Sequence, residues 1–333
     1  MISKNVKTTG QAAAKPVPSQ PRFASYTLRQ RLVFAVIFFG CVQIGRVLIF
    51  LARRQSWEKS HRIALWISRR VESLTRPRRW KNYQLFFGSK KSLAELVAMD
   101  EAHTLYLARM RADVAAAFGR TPAELLATTE IAGLDNLRAV LVENHGAMLV
   151  SGHTATWWLV PSILGSSGFP VTVVFTPVKS KAVEKKLRAL TDRFGVRLAF
   201  VGRDALSAVK HAAAKNEIIY LTFDVTLRPK HFANYDFGSA QMPIDAGPAI
   251  TAARQLMPVL QVECAHLDET KRKISIYAPT ELELNPQSQP PEALCQLWMQ
   301  RLEAEVLAHP EQWWPWGYVD LSSPAVEISP KAD

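Results

Sequence analysis

Two side chains stand where short apolar runs end, and both can move or steer a proton. His153 follows Ala147–Ser151 (AMLVS) through Gly152, and Asp224 directly follows Ile218–Phe223. An imidazole titrates near neutral pH, so it can act as a general acid or base. Each residue alone is a weak signal, because a histidine after a strand more often caps or packs, and an aspartate there often only opens a turn. The chain has no G-x-G-x-x-G, P-loop, G-x-S-x-G or H-E-x-x-H, so nucleotide, serine-hydrolase and zinc-protease readings lack their usual support. Cys41, Cys264 and Cys295 are too few and too scattered for a disulfide framework or a zinc site, and no metal or other cofactor is expected.

The elements that must position these residues follow from periodicity. Residues 91–118 read as a long helix, with Ser92 as N-cap and Glu95 three residues on. Short apolar runs at Ala147–Ser151, Val171–Phe175, Leu198–Val201, Ile218–Phe223, Val259–Cys264 and Lys273–Tyr277 read as strands. Helices are expected from about Lys179 to Phe194, over Asp204–Lys215, over 247–256 and over Leu294–Leu307. Asn144-His145-Gly146 looks like a helix C-cap, and His145 and His211 read as helix-end residues without chemistry. Strands alternating with helices imply βαβ crossovers, hence an α/β fold with a largely parallel central sheet flanked by helices. In such sheets sites form beyond the carboxyl ends of strands, which is where His153 and Asp224 fall.

The 333 residues carry a formal net charge of +12, with 48% hydrophobic and 21% charged residues, which excludes a wholly disordered chain and a multi-span membrane protein. The charge is concentrated. Residues 1–81 hold 17 Lys and Arg against two acids, whereas 82–333 hold 24 against 27. A basic block beside an apolar run points to anionic membrane lipids and not to nucleic acid. That run, Leu32–Ala52, has 21 residues and one charge, Arg46, which is long enough for a membrane helix. A cleaved signal peptide fits less well, since 31 residues precede it and no A-x-A site follows. The expected organisation is a disordered basic tail (1–31), a membrane-anchoring helix (32–52), a basic amphipathic juxtamembrane region (53–90) and an α/β domain (91–333). Trp57, Ile63, Ala64, Ile67, Val71 and Leu74 have helical spacing opposite an arginine-rich face, either on the membrane surface or as a core helix, with Arg76-Pro77-Arg78-Arg79 as its stop. Ten Lys and Arg over 53–81 favour a cytoplasmic body, whether the helix spans the bilayer or lies in its inner leaflet.

Three segments carry a resemblance. Ile131-Ala-Gly-Leu-Asp135-Asn-Leu leads to Gly146-Ala-Met-Leu-Val-Ser-Gly-His153 and Trp157. Phe237-Gly238 is followed by Gly247-Pro248-Ala249, and Pro310-Glu311-Gln312-Trp313 by Trp316. In this order, over roughly residues 30–320, the chain resembles the bacterial lipid A late acyltransferases, the lauroyl and myristoyl transferases, as a divergent member. The resemblance implies a glycerolipid or lysophospholipid acyltransferase-like fold and a role in lipid A, and so lipopolysaccharide, biosynthesis. It implies transfer of a fatty acyl group from an acyl carrier protein or acyl-CoA thioester to a hydroxyl (or amine) of a lipid or glycolipid acceptor. It also implies a bacterial inner membrane location with the catalytic domain facing the cytoplasm. The family motif is His, four residues, then Asp or Glu, with the histidine as general base, no metal and no covalent acyl-enzyme.

The chain departs from that motif. Trp158 occupies the acid position, and an indole only donates, so it cannot orient an imidazole as an acceptor. Thr176 stands before Pro177 where the family tends to have Arg. Three readings stay open: Asp224 replaces the missing acid; His153 works slowly alone; or catalysis is impaired and the fold serves as a lipid-binding or accessory protein. Thr154, Trp157, Trp158, Thr176, Phe237 and Gly238 are the substrate-binding candidates that the matched segments imply. Trp313, Trp314, Trp316 and Tyr318 form an aromatic cluster that either docks on a membrane or packs as a C-terminal segment, the second being favoured by the match.

Overall fold

A computed structural model describes residues 57–117, 119–143, 146–178, 181–225, 232–268 and 271–323, all belonging to the unit Leu48–Asp333. The tail, the apolar segment 32–52 and the pair Asn144-His145 lie outside the described residues. Among the described residues no helix is long and apolar enough to cross a membrane.

Helix α1 (Trp57–Phe87) does not stop at Arg76-Pro77-Arg78-Arg79 as its sequence suggests but runs through Pro77 for another ten residues. A proline inside a helix removes one hydrogen bond and crowds the preceding turn, at a cost of about 3 kcal/mol. The turns after it offset that cost by burial. Arg79 is almost fully buried and donates from Nε to Asp100 Oδ1 at 3.0 Å and from Nη1 to Thr75 Oγ1 at 2.7 Å. Asn82 Nδ2 donates to the Trp316 and Val319 carbonyls at 2.8 and 2.9 Å. Tyr83, Phe86 and Phe87 close around the Trp316 ring. Arg79, expected as part of the helix stop, therefore points into the protein.

Helix α2 (Leu93–Ala117) starts at the expected capping box. Ser92 N–H donates to Glu95 Oε2 at 2.8 Å, and Glu95 N–H donates to Ser92 Oγ at 3.3 Å. Then come α3 (Pro122–Ala127), β1 (Thr129–Ala132) and α4 (Leu134–Val142), too short for periodicity to reveal. The βαβ region follows: β2 (Ala147–Ser151), α5 (Val160–Ser166), β3 (Val171–Phe175), α6 (Lys181–Asp192), β4 (Val196–Phe200), α7 (Ala205–Lys215) and β5 (Ile218–Thr222). A hairpin, β6 (Phe232–Phe237) and β7 (Ala240–Asp245), precedes α8 (Gly247–Gln255), β8 (Val259–His266), β9 (Arg272–Ile276), α9 (Glu281–Leu284) and α10 (Pro291–Ala308).

Seven strands form one sheet in the order β1-β9-β8-β2-β5-β3-β4, parallel throughout except between β8 and β9. The expected α/β class with a largely parallel, helix-flanked sheet is what the structure shows. Strand β2 is buried along its whole length, as an inner parallel strand covered on both faces must be. One apolar cluster packs α7, α8 and α10 on one face, and a second packs α4 and α5 with the other. Gly238 turns the β6–β7 hairpin at φ +64°, and a Cβ there would come within 2.6 Å of the Phe86 ring and carbonyl. That close approach, with Ser239 N–H donating to the Phe86 carbonyl at 2.8 Å, seats the hairpin on the end of α1.

Candidate active site

Strands β2 and β5 are parallel neighbours with Ser151 opposite Thr222. Two residues further along each chain, at the carboxyl edge of the sheet, stand His153 and Asp224. Equal register and equal direction bring these side chains together across 71 residues of sequence. The His153 ring Nδ1 meets Asp224 Oδ1 in a short hydrogen bond. The other carboxylate oxygen, Oδ2, accepts from the His153 backbone N–H at 2.9 Å and from the Trp313 indole N–H at 2.8 Å. Asp224 is buried, and the His153 backbone N–H and the Trp313 indole N–H can only donate to it, which suits a carboxylate. With Asp224 accepting, Nδ1 carries the ring proton and Nε2 presents its lone pair. Thr222 Oγ1 lies 3.3 Å from Nε2 and donates to it, a long contact that an incoming hydroxyl can replace.

The ring is gripped but not sealed, for the His153 side chain keeps 9% of its surface exposed. Trp157 packs edge-on against it at 4.3 Å and Trp314 lies at 5.3 Å. The backbone beyond His153 is held from several sides. Trp314 N–H donates to the His153 carbonyl at 3.0 Å, and Ala155 N–H donates to the Gln312 carbonyl at 3.0 Å. Ala155 sits at φ +44°, a region that costs a residue with a Cβ energy, and Tyr106 OH holds its carbonyl at 2.7 Å. Tyr220 OH holds the Trp157 carbonyl at 2.7 Å. The Trp157 indole N–H is buried without a partner among the described residues.

The other candidates divide. Thr154 is buried and its hydroxyl donates to Glu305 Oε2 at 3.3 Å. Trp158 is half-buried, its ring 6.1 Å from that of Trp157. Thr176 is exposed past the end of β3, and no hydrogen bond ties it to His153. Phe237 is buried against Trp313 and Phe86, one layer behind the pair, and Gly238 is in the hairpin turn. The C-terminal aromatic cluster is packed: Trp313 and Trp316 are fully buried, while Trp314 stacks on the partly exposed Tyr318 at 4.4 Å.

Sequence reasoning missed Trp313 as a donor to Asp224, Thr222 as a partner of Nε2, and Glu305. The Glu305 carboxyl lies in the interior with Oε1 unpartnered among the described residues, and burial first, then the neighbouring Glu263 charge, push its pKa well above the carboxylate range. Glu305 lies on α10, a helix whose local pattern says nothing of what it faces. Among the described residues no group of His, Cys, Asp and Glu is arranged to hold a metal ion.

The family model for bacterial lipid A biosynthesis acyltransferases matches residues 25–316. No curated protein matches the chain.

Proposed function

This chain belongs to the bacterial lipid A biosynthesis acyltransferase family, whose chemistry is acyl transfer, and we propose that it performs that transfer with His153 as general base and Asp224 as its orienting acid. The observation that carries this reading is the His153–Asp224 pair at the carboxyl ends of β2 and β5, its carboxylate locked by Trp313. An acceptor hydroxyl takes the place of Thr222 at Nε2. Its proton passes to the imidazole as its oxygen bonds to the thioester carbonyl carbon. The carbon–sulfur bond then breaks, and the departing thiolate takes the proton back from the imidazolium. Asp224 stabilises the imidazolium between these events.

The geometry favours this reading over an impaired accessory protein, because that alternative rests on an imidazole without an acid. The donor is an acyl carrier protein or acyl-CoA thioester, and the acceptor a lipid or glycolipid hydroxyl. The apolar segment 32–52 and the basic residues around it support attachment to the cytoplasmic face of the bacterial inner membrane, with anionic lipids as partners. The test is acyl transfer by the full-length chain from a carrier-bound thioester to a lipid acceptor, followed by mass spectrometry, with His153→Ala beside it. Equal product from both proteins removes His153 from the mechanism.

A further inference from the structure

Residues 82–333 are acidic in sum, but one stretch among them is strongly basic. Residues 181–203 hold seven Lys and Arg against two acids, while the rest of 82–333 holds 17 against 25. This stretch is α6, β4 and the turn after β4, at one edge of the sheet. Its arginines serve the fold. Arg188 donates to the Leu198 carbonyl at 2.8 Å, and the Arg188 and Arg203 guanidinium groups cover the Phe200 ring at 5.0 and 4.4 Å while sharing Glu184. Its lysines do not. Lys181, Lys185 and Lys186 are exposed and have no ion pair among the described residues.

Helix stability argues against these lysines. Lys181 and Lys185 are four residues apart, on the same helix face, and repel. A cationic face kept against local electrostatics calls for an anionic partner. Its location supports the same conclusion. Helix α6 follows β3, whose carboxyl end lies two strands, about 10 Å, from that of β2, on the edge where His153 stands.

We infer that this face docks the acidic protein that presents the acyl thioester, an acyl carrier protein, with Lys181, Lys185 and Lys186 receiving its carboxylates. The inference rests on the transferase reading and adds the place where the donor binds. Charge complementarity fixes orientation and association rate, and a carrier held here needs only to extend its thioester across two strands to His153. Val201 and Leu206, exposed by 51% and 57% beside Arg203, supply apolar contact. A lipid surface fits this face less well than a protein does. The helix's own apolar residues Val183, Leu187 and Leu190 are half-buried on the sheet side, leaving little to insert among acyl chains.

The test compares the full-length chain with Lys181→Glu/Lys185→Glu/Lys186→Glu and with the milder triple Lys→Gln variant, which keeps solubility if charge reversal disturbs folding. Binding of acyl carrier protein is measured by titration, and turnover with carrier-bound and with CoA-bound acyl donors. The expected result is carrier binding weakened at least tenfold by reversal and less by neutralisation, a flattened salt dependence, and unchanged turnover with acyl-CoA. Unaltered carrier binding overturns the inference, and so does a loss confined to binding of anionic phosphatidylglycerol vesicles. His153→Ala keeps full carrier binding if the inference holds, so failure of the catalytic reading registers in turnover and failure of this one in binding.

Discussion

Trp313 donates its indole N–H to the carboxylate of Asp224 at 2.8 Å, across 89 residues of chain. This bond sets the aspartate so that its other oxygen meets His153, which makes the C-terminal segment part of the site and not only of the core. Trp313→Phe keeps most of the buried volume but removes that donor. The expected outcome is a stability loss of roughly 1–3 kcal/mol and a lowered kcat. Urea denaturation and steady-state kinetics check it, and unchanged kcat at reduced stability would limit Trp313 to packing.

Asp224→Asn retains the shape but presents an amide where a carboxylate held the Nδ1 proton. Rate is expected to fall by about 10²–10⁴, as for His153→Ala, because the ring loses both its tautomer and its counter-charge. The double variant should be little slower than either single one, since the two residues act as a unit. Strictly multiplicative losses would mean that the pair is not the catalytic device.

Trp158→Glu restores the acid of the family motif, yet it should not raise activity. His153 Nδ1 is already committed to Asp224, so a second carboxylate finds no proton to accept. The measurement is kcat of Trp158→Glu alone and together with Asp224→Asn. A gain in the single variant would show that Asp224 does not fill the orienting role.

The buried Glu305 makes stability depend on pH. Its pKa is raised in the folded protein by burial and by Glu263, so the native state holds a proton that the unfolded chain releases above about pH 4.3. Stability therefore falls as pH rises through the window between those two values. Glu305→Gln removes that window. Its Tm should exceed that of the parent at pH 7–8 and match it near pH 4. A Tm difference independent of pH would show the carboxyl to be ionised or exposed.

Gly238 occupies the left-handed region beneath Phe86. Gly238→Ala should cost more than the ~1 kcal/mol of a left-handed alanine, because its Cβ meets backbone and ring at 2.6 Å. Gly168→Ala, at φ +90° with open space around it, supplies the comparison. Equal shifts in Tm would mean that the hairpin does not press on α1.

The amino-acid sequence by itself determined the strands that carry the site, the capping box at Ser92, the placement of His153 and Asp224 beyond strand ends, and family membership through the matched motifs. These are local properties: a run of five apolar residues, a cap three residues from its partner, a polar residue where the run stops. Tertiary structure alone decided that β2 lies beside β5, that the Asp224 carboxylate meets the His153 ring, and that Trp313 and Glu305, from the last segments of the chain, contact Asp224 and Thr154. It also carried α1 past Pro77 on the strength of buried partners supplied by α2 and the C-terminal turns. Strand order and helix packing arise from the balance of burial over the whole chain, so no local window can encode which distant side chains meet.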